Sequence, residues 1–226
     1  MQKHFCHRVL RFLMPLSTNA IPIRFVSFDA EGTLATHAFT RRFMRQVVPA
    51  LYSRTYGMGF EEGVEQVFSE YESIGIGKRE WYDIQYWFQR FGLGSPFAAI
   101  EEFRTTIEFY PEVREVLEGL GARYTMVVAS STPVEFLRPL LRDVECHFVR
   151  FFSSTSELGK VKDREFFTWL ASELDAEPSE IVHVGDSWQG DVVSPSAAGL
   201  KAYHLDRSNA SNGSLRSLLE FSQLLA

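Results

Sequence analysis

The stretch RFVSFDAEGTLATH, residues 24–37, decides the reading of this chain. Its apolar run stops at Asp29, a second acid follows at Glu31, then Gly32-Thr33, and no apolar period continues. A strand that is apolar at successive positions is covered on both faces, which is the environment of a parallel sheet between helical layers. In such sheets ligands bind beyond the carboxyl ends of the strands, so carboxylates at that point are placed for chemistry.

Working outward, residues 23–28 predict the first strand and 124–129 (YTMVVA) a second. Further strands are expected at 147–152, 181–184 and 202–205. Helical patterns over 111–121, 133–142 and 164–174 separate them. Strands alternating with helices give an α/β fold, a doubly wound (Rossmann-like) parallel sheet.

The interval 36–108 is different, with helical periodicity and no strand. Val64, Val67, Phe68 and Tyr71 fall on one helical face, as do Trp81, Ile84, Phe88 and Phe91, with breaks at Gly57-Met58-Gly59, Gly75-Ile76-Gly77 and Gly92-Leu93-Gly94. The organisation expected is an N-terminal extension over 1–22, a core from 23–35 and 109–226, and an inserted all-helical cap over 36–108.

Composition narrows the class. The chain has 226 residues, 45% of them hydrophobic, and a formal net charge of −6. That is enough for a sizeable core, and the acidic balance argues against a nucleic-acid or anionic-membrane surface. Cys6 and Cys146 make neither a disulfide framework nor a metal cluster, which fits a reducing, cytoplasmic setting. No apolar run reaches the roughly 20 residues that span a bilayer. At the N-terminus, Arg11 interrupts VLRFLM, and the segment is read as an extension rather than a targeting sequence.

Read strand end by strand end, the polar residues form a series. Asp29 and Glu31 follow the first strand, with Gly32 permitting a turn across which Thr33 is expected to hydrogen-bond. Ser130 and Ser131 follow the second, at a helix start that welcomes an anion. Lys160 and Lys162 precede the next helix, and Gly185-Asp186-Ser187 with Asp191 follows the fourth strand. Each piece alone is an ordinary turn, cap or surface charge. Gathered together, the acids and the lysine call for a hard divalent ion and a phosphate.

This ordered set resembles the haloacid dehalogenase-like hydrolase superfamily, in its phosphatase branch with a helical cap between the first two motifs. The first motif, Asp-x-Asp-Gly-Thr, stands here as Asp29-Ala30-Glu31-Gly32-Thr33; the second matches Ser130. The lysine motif fits Lys162 better than Lys160, although Asp163-Arg164-Glu165 lacks the prolines often found there. The last motif, Gly-Asp-x-x-x-x-Asp, is complete from Gly185-Asp186 to Asp191. The resemblance implies a Mg2+-dependent phosphatase acting on a small phosphorylated metabolite through an aspartyl-phosphate. Asp29 would be the nucleophile, and Glu31 the acid and base. Gly32, Thr33, Ser130, Ser131 and Lys162 would bind phosphate. Asp29, the Glu31 carbonyl, Asp186 and Asp191 would serve the metal. A monomer or homodimer with no nucleic-acid or membrane partner is expected.

Glu31 departs from the usual Asp, a form shared with the enolase-phosphatases of methionine salvage. Two alternatives stay open. A metal-independent 2-haloacid dehalogenase also opens Asp-Ala-x-Gly-Thr-Leu, but usually has an aromatic residue at the Glu31 position and Ser-Ser-Asn where Gly185-Asp186-Ser187 stands. A catalytically weak binding or regulatory protein is the other. For substrate choice, Tyr82 and Tyr86 are candidates to face the cleft. Arg41, Arg42, Lys78, Arg79 and Arg104 are candidates to meet a second anion. His183 is expected to be a satisfied core residue.

Overall fold

The computed structural model describes residues 22–75, 78–208 and 210–226; Cys6, the extension over 1–21 and part of the Gly75-Ile76-Gly77 break lie outside them. Five parallel strands, β1 (Phe25–Phe28), β2 (Thr125–Ser130), β3 (Arg150–Ser153), β4 (Ile181–Gly185) and β5 (Lys201–His204), form one sheet in the order β3-β2-β1-β4-β5. The first strand is central, with Phe28 in register with Val128 on one side and Val184 on the other.

Alternation along the strands divides the core in two. Val26, Phe28, Met126, Val128, Val182 and Val184 pack into one cluster, while Phe25, Val127, Ala129, Phe152 and Ile181 pack into another. Both faces are covered, which is why β1 and β4 are apolar on both, save for the hydrogen-bonded pair of Ser27 and His183.

The expected strand over 147–152 is displaced. Residues Arg142–His147 wind into a 3-10 helix that sets Val144 in the core, and pairing with β2 begins only at Arg150 opposite Val127. Phe148 is used instead as a packing residue, edge-on to Phe28 and Phe151.

Between β1 and β2 the described chain is helical: α1 (Ala38–Arg42), a π-helical turn (Phe43–Val47) leading into α2 (Val48–Tyr56), then α3 (Phe60–Ile74), α4 (Arg79–Tyr82), α5 (Ile84–Arg90) and α6 (Pro96–Phe103). Gly57 ends α2 at φ +67°, and Asp83 and Ser95 cap α5 and α6 through their side chains. Val67, Tyr71, Ile84, Phe88 and Phe91 are buried together, as their spacing predicts; Val64, Phe68 and Trp81 are half-buried, and Trp87 joins the buried set. The helix α7 (Val113–Gly121) precedes β2, and after β2 come α8 (Val134–Leu141), α9 (Ser154–Leu158), α10 (Arg164–Glu173), α11 (Ser194–Ala197) and α12 (Leu218–Leu224). No helix among the described residues is long and apolar enough to cross a membrane.

Candidate active site

The carboxyl ends of β1, β2 and β4 converge. Asp29 N–H donates to Val184 O at 2.9 Å, which carries the sheet pairing one residue past β1 and fixes the carboxylate at the sheet edge. The chain then turns: Gly32 N–H donates to Ala35 O (2.7 Å), and Leu34 and Ala35 N–H both donate to Ala30 O. Gly32 is required twice over. Its φ is +78°, and a Cβ there would lie 2.0 Å from Asp186 Oδ2.

Lys162 Nζ donates to Asp29 Oδ1 at 2.6 Å and to Asp191 Oδ1, and its main-chain N–H donates to Ser131 Oγ at 3.0 Å. Lys160 points elsewhere, paired with Asp163 at 2.8 Å and with Glu165. Lys162 is therefore the lysine of the site.

Asp191 is wholly buried, and its oxygens also accept from His183 Nε2–H and Ser187 N–H, each at 2.9 Å. His183 in turn accepts from the Ser27 hydroxyl at 2.9 Å, so this core histidine is satisfied, as expected, and also braces an acid of the site. Burial holds His183 below the usual imidazole range, in keeping with a neutral ring. Burial alone would raise Asp191, but Lys162 and His183 outweigh it and hold the carboxyl well below the usual range. Lys162, conversely, is held above the ordinary lysine value by the two carboxylates despite its burial.

Asp29 goes the other way. Burial, with Asp191 and Asp186 nearby, raises it to about 7 against the pull of Lys162. One oxygen from each of Asp29, Asp186 and Asp191 lies within 4.8 Å of the others. Three carboxylates around one ammonium leave net negative charge in a buried place. The hard oxygen donors fit a hard divalent cation, which would relieve both the repulsion and the Asp29 shift.

Glu31 projects from the turn into the same space. Its Oε2 accepts from Thr132 Oγ1 at 3.4 Å, while its Oε1 is buried with no hydrogen-bond partner. Burial raises its pKa above the ordinary glutamate value. His37 Nε2–H donates to Asp186 Oδ2 at 3.1 Å, and this bond lifts the imidazole above its ordinary value. Ser130 Oγ accepts from Thr132 N–H at 3.2 Å.

Two expectations are corrected. Thr33 and Gly32 do not line the cleft as phosphate contacts. Thr33 is fully buried, its Oγ1 meets no partner, and it makes no bond across the turn; the Gly32 N–H is used by Ala35. The turn is held instead by Arg207. Its guanidinium donates to Thr33 O (2.9 Å), Gly32 O (3.3 Å) and Glu112 Oε1 (2.7 Å), and lies 3.5 Å over the Tyr110 ring.

A cleft of about 870 Å³ opens in front of these groups, lined by Asp29, Glu31, Ser130, Ser131, Lys162 and Asp186 on the strand side. The facing wall comes from α1, the π-helical turn, α3, α4 and the start of α5. Tyr82 lines it as expected; Tyr86 does not, being packed edge-on to Trp87. Of the five basic candidates only Arg41 reaches the cleft. Arg79 pairs with Asp83 and Arg104 with Asp143, while Arg42 and Lys78 stand exposed outside it. Sequence reading missed His37, Thr40 and Arg45. Of these Arg45 left a signal, one helical turn beyond Arg41.

The model of a family described as haloacid dehalogenase-like hydrolase matches residues 23–199. No curated protein matches the chain. Among solved structures, the chain is similar to a HAD phosphatase from Thermococcus onnurineus, with 25% identity, a TM-score of 0.79, and 90% of this chain and 98% of that one covered. It is also similar in fold to the HAD-hydrolase YfnB from Bacillus subtilis bound to magnesium (15% identity, TM-score 0.62, coverage 90% and 99%). A 2-haloacid dehalogenase from Pseudomonas syringae shares that fold too (19%, 0.56, coverage 90% and 98%).

Proposed function

Because the chain belongs to the haloacid dehalogenase-like hydrolase family, we propose that it is a Mg2+-dependent phosphatase that hydrolyses a small phosphomonoester through a phosphoryl-Asp29 intermediate. In this reading 36–108 acts as the cap over a core of 23–35 and 109–226. The observation that carries the proposal is the buried Lys162 ammonium bridging Asp29 and Asp191, with the Asp186 carboxylate beside them.

Asp29, Asp186 and the main-chain carbonyl of Glu31 would hold Mg2+, with Asp191 supporting from behind through Lys162. Bound there, the ion supplies charge that keeps Asp29 ionised and neutralises phosphate oxygens. The Asp29 oxygen not bonded to Lys162 attacks phosphorus as the bond to the leaving oxygen breaks. Glu31 delivers its proton to that oxygen, and its raised pKa keeps the proton available. The Glu31 carboxylate then takes a proton from water, which attacks phosphorus, releases inorganic phosphate and restores Asp29. Lys162, Ser130 and Ser131 hold the phosphoryl oxygens, where positioning and charge supply most of the rate.

The dehalogenase reading needs a substrate carboxylate beside Asp29, where Glu31 and Asp186 oppose it electrostatically. The test is turnover of p-nitrophenyl phosphate and a panel of phosphorylated metabolites by the purified protein, with Mg2+ or with EDTA. Hydrolysis that needs Mg2+ and is lost in Asp29→Asn is expected. EDTA-insensitive chloroacetate turnover would replace the proposal with the dehalogenase, and inertness toward every ester would replace it with a binding role.

A further inference from the structure

The helical run after the first turn has two unlike faces. Phe39, Phe43, Val47 and Val48 are buried in the core. His37, Thr40, Arg41, Met44 and Arg45, at steps of three, four, seven and eight, all line the cleft. A helix ordinarily turns its charged face to bulk water; this one turns it to an open cleft facing the reacting groups.

Arg41 and Arg45 make no ion pair among the described residues, whereas Arg79, Arg90 and Arg104 of the same helical block each hold a carboxylate. Glu72 is the one acid on this helical wall, one negative charge against two guanidinium groups. Around the two arginines the wall is apolar. Met44, Phe68, Trp81, Tyr82 and Phe136 line it, and the Arg45 guanidinium lies 5.6 Å from the centre of the Phe68 ring. A two- or three-carbon leaving group would leave most of the roughly 870 Å³ unfilled and its apolar lining wet.

We propose that the substrate is a phosphomonoester whose alcohol carries a ring-sized apolar body ending in a second anionic group, and that Arg41 and Arg45 are the residues that select for that anion. The inference rests on the phosphatase reading for the position of the phosphate. It follows from charge: the strand side of the cleft takes one anion through Lys162 and the cation, and the unpaired guanidinium groups on the opposite wall take the other.

Two esters with equally acidic leaving phenols test it: 4-propylphenyl phosphate and 3-(4-phosphonooxyphenyl)propanoate, which differ by a terminal carboxylate. With Mg2+ present, kcat/KM for the carboxylated ester should exceed that of the propyl ester by about tenfold, the worth of a charge-assisted hydrogen bond. The ratio should fall to about one in Arg41→Gln/Arg45→Gln and in the milder Arg45→Gln, and persist in Arg42→Gln, whose side chain stands outside the cleft. Phosphoglycolate, an anion without the ring, should be the poorer substrate. Calorimetric binding of the same two esters to Asp29→Asn separates the two readings. A ratio of one in turnover and in binding overturns the subsite and spares the phosphatase. Tenfold tighter binding of the carboxylated ester without turnover by the wild-type protein overturns the phosphatase and spares the subsite.

Discussion

The two walls of the cleft are built on opposite principles. On the strand side Asp29, Lys162, Asp191 and His183 are all buried, and each is held by hydrogen bonds from separate elements. On the helical side Arg41 and Arg45 are exposed, and Tyr82 is half-buried. Rigid preorganisation belongs where charge moves in a reaction, because misplacement by about 1 Å can cost roughly 100-fold. Groups that only choose among leaving alcohols can be held loosely. On the proposed function the contrast makes reaction and selection separable in this molecule, and four experiments probe that separation.

The largest effect should come from Asp29→Asn. Turnover of p-nitrophenyl phosphate should fall by about 10⁴-fold or more with the fold retained in circular dichroism, because the nucleophile is lost while an amide of the same shape replaces it and Asp191 still pairs with Lys162. Next is Lys162→Met. It leaves Asp29 and Asp191 facing each other in a buried space, so beyond abolishing turnover it should cost about 3–5 kcal/mol in chemical denaturation. A strand wall that tolerated this change would break the comparison.

A smaller effect ties Mg2+ to pH. The folded value of Asp29, about 7, lies above its ordinary 3.8. Its contribution to stability is therefore complete below about pH 4 and lost as pH climbs through 7. Mg2+ binds the ionised form, so the rise in melting temperature on adding it should be greater at pH 8 than at pH 5. Equal shifts would remove Asp29 from the cation site. Smallest is Tyr82→Ala on the helical wall, which should raise KM several-fold, lower kcat less, and leave the melting temperature nearly unchanged. A fall in kcat as large as that of Lys162→Met would erase the distinction between the walls.

What could be read in the sequence follows the same division. The first and fourth strands, Asp29, Glu31, Ser130, Lys162, Asp186 and Asp191 were legible, because apolar runs ending in polar residues are local patterns and the sheet brings their ends together. The contact of Lys162 with Asp191 was expected only from the resemblance, and the bond of His183 to the same acid was not visible, since it depends on three-dimensional register. Thr33 was misjudged because the turn closes through main-chain bonds to Ala30 and Ala35, which leaves its hydroxyl inside. His37 and Arg45 carry no motif; only the docking of α1 with its charged face inward gives them a place. The third strand was set too early because HFVRFF has strand composition, while Val144 anchors the preceding residues as a 3-10 helix.

Arg207 gives the molecule a constraint in time. The turn that follows Asp29, near the start of the described chain, is tied by Arg207, a residue of its last twenty. A ribosome that has released the helical block and the first four strands has made a sheet whose reactive loop still lacks its clasp. The turn that carries Asp29 is therefore clasped only once the chain has been made through the segment that follows the fifth strand.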